Sequence, residues 1–149
     1  MPAASPEWRL QYVQIEDIDG FWSWLGPYFA RALAKAPSDL TLDLIRAQAK
    51  AGGLRFWIVS DDAGPVAAFV AGEHADRSVE VFALAGSRMA EWLGPVVEKF
   101  CTMAKAAGLE RLTMRGRKGW LRALSAQGFA FAGPDGDRVK MTKVFDDAG

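Results

Sequence analysis

The sequence predicts a mixed α/β domain: a mostly antiparallel sheet of six or seven strands, helices on its faces, and a central parallel strand pair. Three observations predict it. Apolar residues first recur at spacings of three and four, then switch to β-branched and aromatic runs from residue 54 onward. Three strand-like runs then succeed one another across short polar turns, which implies an antiparallel meander. A strand–helix–strand unit follows, which implies parallel pairing through a right-handed crossover.

The elements follow in order. Residues 9–15 alternate, with Leu10, Tyr12 and Val13 as inward positions, and form a first strand. Asp17 or Asp19 is placed to cap the next helix. Its stripe is Ile18, Phe21, Trp22, Leu25, Phe29 and Leu33. Gly26-Pro27 should kink or split it, because proline lacks the amide donor and clashes one turn back. Ser38 starts another helix that Gly52-Gly53 stops. Strands are expected over 54–60 and 65–71, with Asp61 to Gly64 as a hairpin turn. After a polar turn at 73–77 comes a strand over 79–84, then a long helix with Trp92, Val96, Phe100, Met103 and Ala107 on one face. Gly108 ends it. A strand over 109–115, a short helix over 118–127, and strands over 129–132 and 138–145 around the turn at 134–137 complete the chain.

Composition narrows the function classes. A chain of 149 residues fits one domain, 1–149, with a full core. No apolar run approaches the roughly 18 residues that span a bilayer, and residues 1–8 lack the basic-then-apolar pattern of a secretory signal. The single cysteine, Cys101, cannot form an internal disulfide, which fits a reducing cytoplasm. Lys plus Arg and Asp plus Glu each total 18, so broad electrostatic binding to nucleic acid is not expected. One Cys and one His cannot build a zinc site, and no Walker or dinucleotide glycine loop occurs. Oligomeric state is left open.

The residues that carry most information are Gly116-Arg117-Lys118-Gly119-Trp120, at a strand–helix junction. With Trp92 near the start of the long helix and Ala104 to Gly108 at its end, they resemble the GCN5-related N-acetyltransferase (GNAT) superfamily, and within it small GNAT-like proteins encoded by phages and prophages. The resemblance covers roughly residues 54–145. It implies acetyl-CoA as the bound cofactor, with its pantetheine arm between the strands over 79–85 and 109–115. Backbone groups near Leu84 and Gly86 would pair with the arm, and Arg88 and Arg117 would approach phosphates. Arg88 falls on the Arg/Gln position of the family loop Arg/Gln-x-x-Gly-x-Gly/Ala, but its small positions carry Glu91 and Leu93. In the family's Asn-x-x-Ala-x-x-x-Tyr segment the matching positions are Arg117, Trp120 and Leu124; leucine cannot donate the proton that the tyrosine supplies to a departing thiolate.

Glu80 is the first general-base candidate, as a carboxylate on the strand that would line the acceptor side. Its alternation with Val79 and Val81 also fits a solvent-facing position. Glu73 is the second carboxylate candidate. Beside it stands His74, the one histidine, read either as a proton relay or as a plain surface residue. Cys101 and Trp120 read as packing residues. Arg111, Arg115, Arg117, Lys118 and Arg122 form either a modest basic patch or an ordinary solvated face.

Two functional classes remain open. One is an acyl-CoA-dependent N-acetyltransferase, or a binding relative with a degenerate site, acting on an unidentified amine acceptor. The other is a non-enzymatic phage or prophage protein, in a virion or in assembly, that uses the fold to bind a structural protein. Trp22 and Trp24, with Trp8 and Trp57, would form that interface or else an aromatic core.

Overall fold

The change of period at residue 54 becomes a helical layer laid on a sheet. The computed structural model describes residues 8–35, 41–135 and 138–145, and within these all side chains except those of 32–35, 83, 116, 117 and 135. The elements are β1 (Arg9–Tyr12), α1 (Ile18–Lys35), α2 (Leu42–Lys50), β2 (Arg55–Asp61), β3 (Gly64–Glu73), β4 (Ser78–Gly86), α3 (Met89–Ala106), β5 (Arg111–Arg117), α4 (Leu121–Ala126), β6 (Ala130–Asp135) and β7 (Arg138–Val144), with single 3₁₀ turns before α1 and α4. The seven strands lie in the order β1-β2-β3-β4-β5-β7-β6. Every neighbouring pair is antiparallel except β4 and β5, which are parallel. The mixed sheet and its one parallel pair are those the element order predicts; the placing of β7 between β5 and β6 is not read from it.

Alternation along the strands sends side chains into two cores. On one face Phe56, Ile58, Ala68 and Val70 meet Ile18, Leu25 and Phe29 of α1 and Ile45 of α2. On the other, Phe69, Val79, Val81, Leu112, Met114 and Met141 meet Trp92, Val96 and Phe100 of α3 and Leu124 of α4. Each large apolar side chain buried this way contributes about 1.5–3 kcal/mol. The tryptophans serve these cores: Trp8 is buried, Trp57 stacks on Phe69 and meets Phe100 edge-on, and Trp22 packs on Phe56. Trp24 is half-buried and tilts against Tyr28.

Several boundaries differ from the sequence expectation. Pro27 does not split α1, which runs unbroken from Ile18 to Lys35. Pro27 faces solvent while Leu25 and Phe29 anchor the helix on either side, so packing offsets the lost hydrogen bond. Ser38 lies outside the described residues; Thr41 caps α2, its Oγ1 accepting from the Leu44 amide at 3.1 Å. Asp19 ties α1 to α2 through Arg46 and Lys50, at 2.6 and 2.9 Å. Strand β5 starts at Arg111 rather than at 109, because Leu109 is used in the helix stop, its amide bonding Ala104 O after left-handed Gly108. Pro134 belongs to β6, and residues 136–137 of the expected turn lie outside the described ones. Among the described residues no helix is long and apolar enough to cross a membrane.

Candidate functional site

The sheet opens between its two parallel strands. Parallel pairing runs from Ser78↔Arg111 to Val81↔Met114, the last pair among the described residues. Beyond it β4 continues to Gly86, still held by β3 through Phe69↔Leu84, Ala68↔Ala85 and Ala67↔Gly86. Strand β5 continues to Arg117, still held by β7 through Arg115↔Lys140 and Gly116↔Val139. Each strand past the fork thus keeps one neighbour and turns its other edge to a gap, where its amide and carbonyl groups have no strand to bond. The cause is local. Val70 pairs with Ala83 but Ala71 pairs with Val81, so Phe82 is an extra residue in β4. Such a bulge bends its strand and increases its twist.

Glu80 sits just before the fork, across from Thr113, and is only 4% exposed. It lies on the face that α1 covers, so the solvent-facing reading of this position is wrong. His74 Nε2–H donates to its Oε1 at 2.9 Å, and Arg115 Nε lies 3.2 Å from its Oε2. The turn between β3 and β4 makes the first contact: the His74 amide bonds Ser78 O at 2.8 Å, which folds the imidazole back over β4. Asp76 braces that turn by accepting from the Ser78 amide and hydroxyl and from Arg111. Those bonds, Ser78 first and Arg111 second, hold its carboxyl down at about 2. A buried carboxylate is tolerated only with such partners. Here one partner is a fixed cation and the other a histidine that is 46% exposed at its side chain.

The other predicted residues divide. Leu84 and Gly86 lie on the segment of β4 beyond its last pair with β5. Gly86 has φ +150°, and a Cβ there would lie 2.5 Å from Ala67 Cα, so β3 alone already demands glycine. Glu73 is not brought to Glu80. It pairs across from Val79 on the opposite face of the sheet and binds Arg55 at 3.3 Å. There it borders a cavity of about 440 Å³ lined by Trp57, Val79, Phe100 and Met103. Arg117 belongs to β5 by its backbone, and its side chain lies outside the described ones.

Arg88 takes a left-handed conformation, φ 60°, at the start of α3. Its guanidinium contacts Glu91 at 2.7 and 3.2 Å and Asp61 at 2.9 Å, and lies over the Trp8 ring. Arg88 holds both carboxyls below their usual range, and Glu91, then Asp61, keep the guanidinium more firmly protonated. The start of α3, which favours an anion, therefore already has the Glu91 carboxylate beside it. Leu93 is buried beside it, and Leu124 is fully buried in the α4 core. Burial pushes the Cys101 thiol up to about 11, which suits packing rather than nucleophilic chemistry. For a CoA-type ligand the fit is divided: the fork offers free backbone edges to the amides of a pantetheine arm, whereas the helix start meets a pyrophosphate with a carboxylate.

Sequence reasoning missed Arg115 as the partner of Glu80 and Asp61 as a partner of Arg88. The first follows from register, since Glu80 pairs with Thr113 and residue 115 is the next on that face. The second contact joins residues 27 apart and leaves no local signal.

No protein-family model matches the chain, and no curated protein matches it in sequence. Solved structures do. GCN5 from Tetrahymena superposes with TM-score 0.69 at 15% identity, covering 91% of this chain and 95% of that one. A GNAT family acetyltransferase from Elizabethkingia anophelis with acetyl-CoA bound gives 0.68 at 12%, covering 93% and 98%. The PaiA N-acetyltransferase from Thermoplasma acidophilum, in complex with coenzyme A, gives 0.65 at 12%, covering 93% and 99%. The chain has the fold of the GNAT acetyltransferases.

Proposed function

We propose that this chain, acting as one domain over 1–149, binds an acyl-CoA such as acetyl-CoA by its pantetheine arm and transfers the acyl group to an amine, with Glu80 as the base. The observation that carries the reading is the end of β4–β5 pairing at Val81↔Met114, one residue past buried, doubly contacted Glu80. The bound thioester supplies an activated acyl carbon. Backbone groups of Leu84 and Gly86 on the open edge of β4 hold the arm in the fork. A free N–H on that edge stabilises the charge that develops on the acyl oxygen. Only a neutral amine attacks, so an ammonium acceptor must first lose a proton. Glu80 takes it, directly or through one water, and His74 on the same carboxylate passes it to solvent. Leu124 offers no proton to the leaving thiolate, which departs with a proton from water. Arg88 reaches a phosphate only by giving up contacts with Glu91 and Asp61. The place of action is the cytoplasm.

Calorimetric titration with acetyl-CoA and with CoA tests this reading. Binding in the micromolar range supports it, and no heat at millimolar ligand ends it.

A second reading has its own support. The Arg88–Glu91–Asp61 cluster and buried Leu124 alter the two positions that serve phosphate binding and thiolate protonation in the resembled family. They favour a non-enzymatic scaffold, in the phage or prophage setting that 116–120 resembles, with a virion structural protein as partner. Copurification with head or tail proteins, together with silence toward CoA, would select it.

A further inference from the structure

The sheet face that carries Glu80 continues across β5 and β7, and its chemistry there changes sign. Cross-strand partners share a face, so Glu80, Thr113 and Thr142 lie in one row, and Arg115 and Lys140 in the next. The opposite face of these strands is the apolar core of Leu112, Met114, Val139 and Met141. Helix α1 packs on β3 and β4 and does not pack on β5 or β7 to the same extent. The row beyond Glu80 is therefore polar, running from buried Thr113 to half-buried Thr142, with half-buried Arg115 and Lys140 in the next row. The Thr113 and Thr142 hydroxyls lie 3.3 Å apart.

Arg115 and Lys140 stand directly opposite each other. Like charges so placed destabilise a strand pair. Arg115 is compensated by Glu80 at 3.2 Å. Lys140, only part-exposed, has no ion-pair partner among the described residues. A half-buried ammonium that no carboxylate among the described residues compensates, next to a guanidinium, favours an anion between them.

We infer that these two rows select the acceptor: a primary amine bearing an anionic group, carboxylate or phosphate, at the far end of a short chain, with the amine at Glu80 and the anion at Lys140. The inference rests on the acyl-transfer reading for the role of Glu80, but the anion site stands on its own geometry. Two strand spacings and one two-residue step separate the Cα atoms of Glu80 and Lys140 by roughly 12 Å. That span calls for an amine and anion several bonds apart rather than on one carbon.

The test compares 6-aminohexanoate with hexylamine, and 6-aminohexyl phosphate with both, by calorimetric binding and by acetyl transfer in the presence of acetyl-CoA. The expected result is a preference for the anionic amines, about tenfold or more in affinity and in KM. It should vanish in Lys140→Met and return in Lys140→Arg, which also shows that loss of fold is not the cause. The two anionic ligands tell whether carboxylate or phosphate is preferred. Equal binding of all three amines, no binding of any, or a preference that survives Lys140→Met overturns the inference. A Lys140-dependent preference in binding, with no affinity for acetyl-CoA and no transfer, instead overturns the acyl-transfer reading and leaves the anion site standing.

Discussion

The fork between β4 and β5 and the start of α3 lie at the same end of β4, and they are built in opposite ways. At the fork a bulge at Phe82 parts two strands and leaves backbone groups free, with a buried carboxylate at the base of the opening. At the start of α3, where a helix N-terminus would receive an anion, Arg88 is bound to Glu91 and Asp61. In the proposed acyl-CoA site the two halves are therefore built separately. Backbone geometry makes the fork, while at the helix start Glu91 and Leu93 stand where the resembled family carries small residues.

The largest expected effect tests the fork. In Glu80→Gln, turnover of the amine substrate should fall about 10²–10³-fold, while acetyl-CoA affinity stays within about twofold. Steady-state kinetics beside calorimetry measures both, and unchanged turnover would move the chemistry away from β4. Next comes stability. Gly86→Val places a Cβ against the Ala67 backbone in a left-handed conformation and should cost on the order of 3 kcal/mol in urea unfolding. A cost under 1 kcal/mol would mean the end of β4 is looser than it stands here.

The helix start gives the sharper contrast. Glu91→Gln removes the carboxylate from the helix start and leaves Arg88 held by Asp61 alone, so acetyl-CoA affinity should rise about tenfold while affinity for acetyl-pantetheine, which lacks the nucleotide, does not change. Equal gains for both ligands would erase the distinction between the two regions.

The smallest effect is on acid stability. Asp61 and Glu91 titrate below their ordinary values of 3.8 and 4.5 because of Arg88. A folded-state value below the unfolded one means that the unfolded chain takes up protons first. The stabilisation is therefore fully present above those ordinary values and is lost as pH falls through the lowered ones. The Tm difference between the protein and Arg88→Met should hold constant at neutral pH and close as the solution is acidified below about pH 4. A gap that widens in acid would contradict the sign.

Much of the fold was legible because it rests on period and punctuation. The switch at residue 54, the glycine stops at Gly52 and Gly108, and the strand–helix–strand unit around α3 suffice for the seven strands and their parallel pair. Pro27 misled because a local rule was offset by packing from both sides. The site was legible only in part. Glu80 could be singled out, but its burial and its two partners depend on a turn that returns His74 and on a register that delivers Arg115. Glu73 falls on the face opposite Glu80, because one residue of displacement along a strand changes the face. The role of Arg88 was hidden by Asp61, a residue that in sequence marks a hairpin.

In the proposed function, β4 beyond Val81 presents an unbonded edge that receives a pantetheine arm. Amide hydrogen exchange across 82–86, with and without acetyl-CoA, tests it most directly. Rapid exchange is expected in the free protein at the amides that β3 does not bond, and protection of those same amides when acetyl-CoA is added. Full protection of 82–86 without ligand, or no change on adding saturating acetyl-CoA, would contradict it.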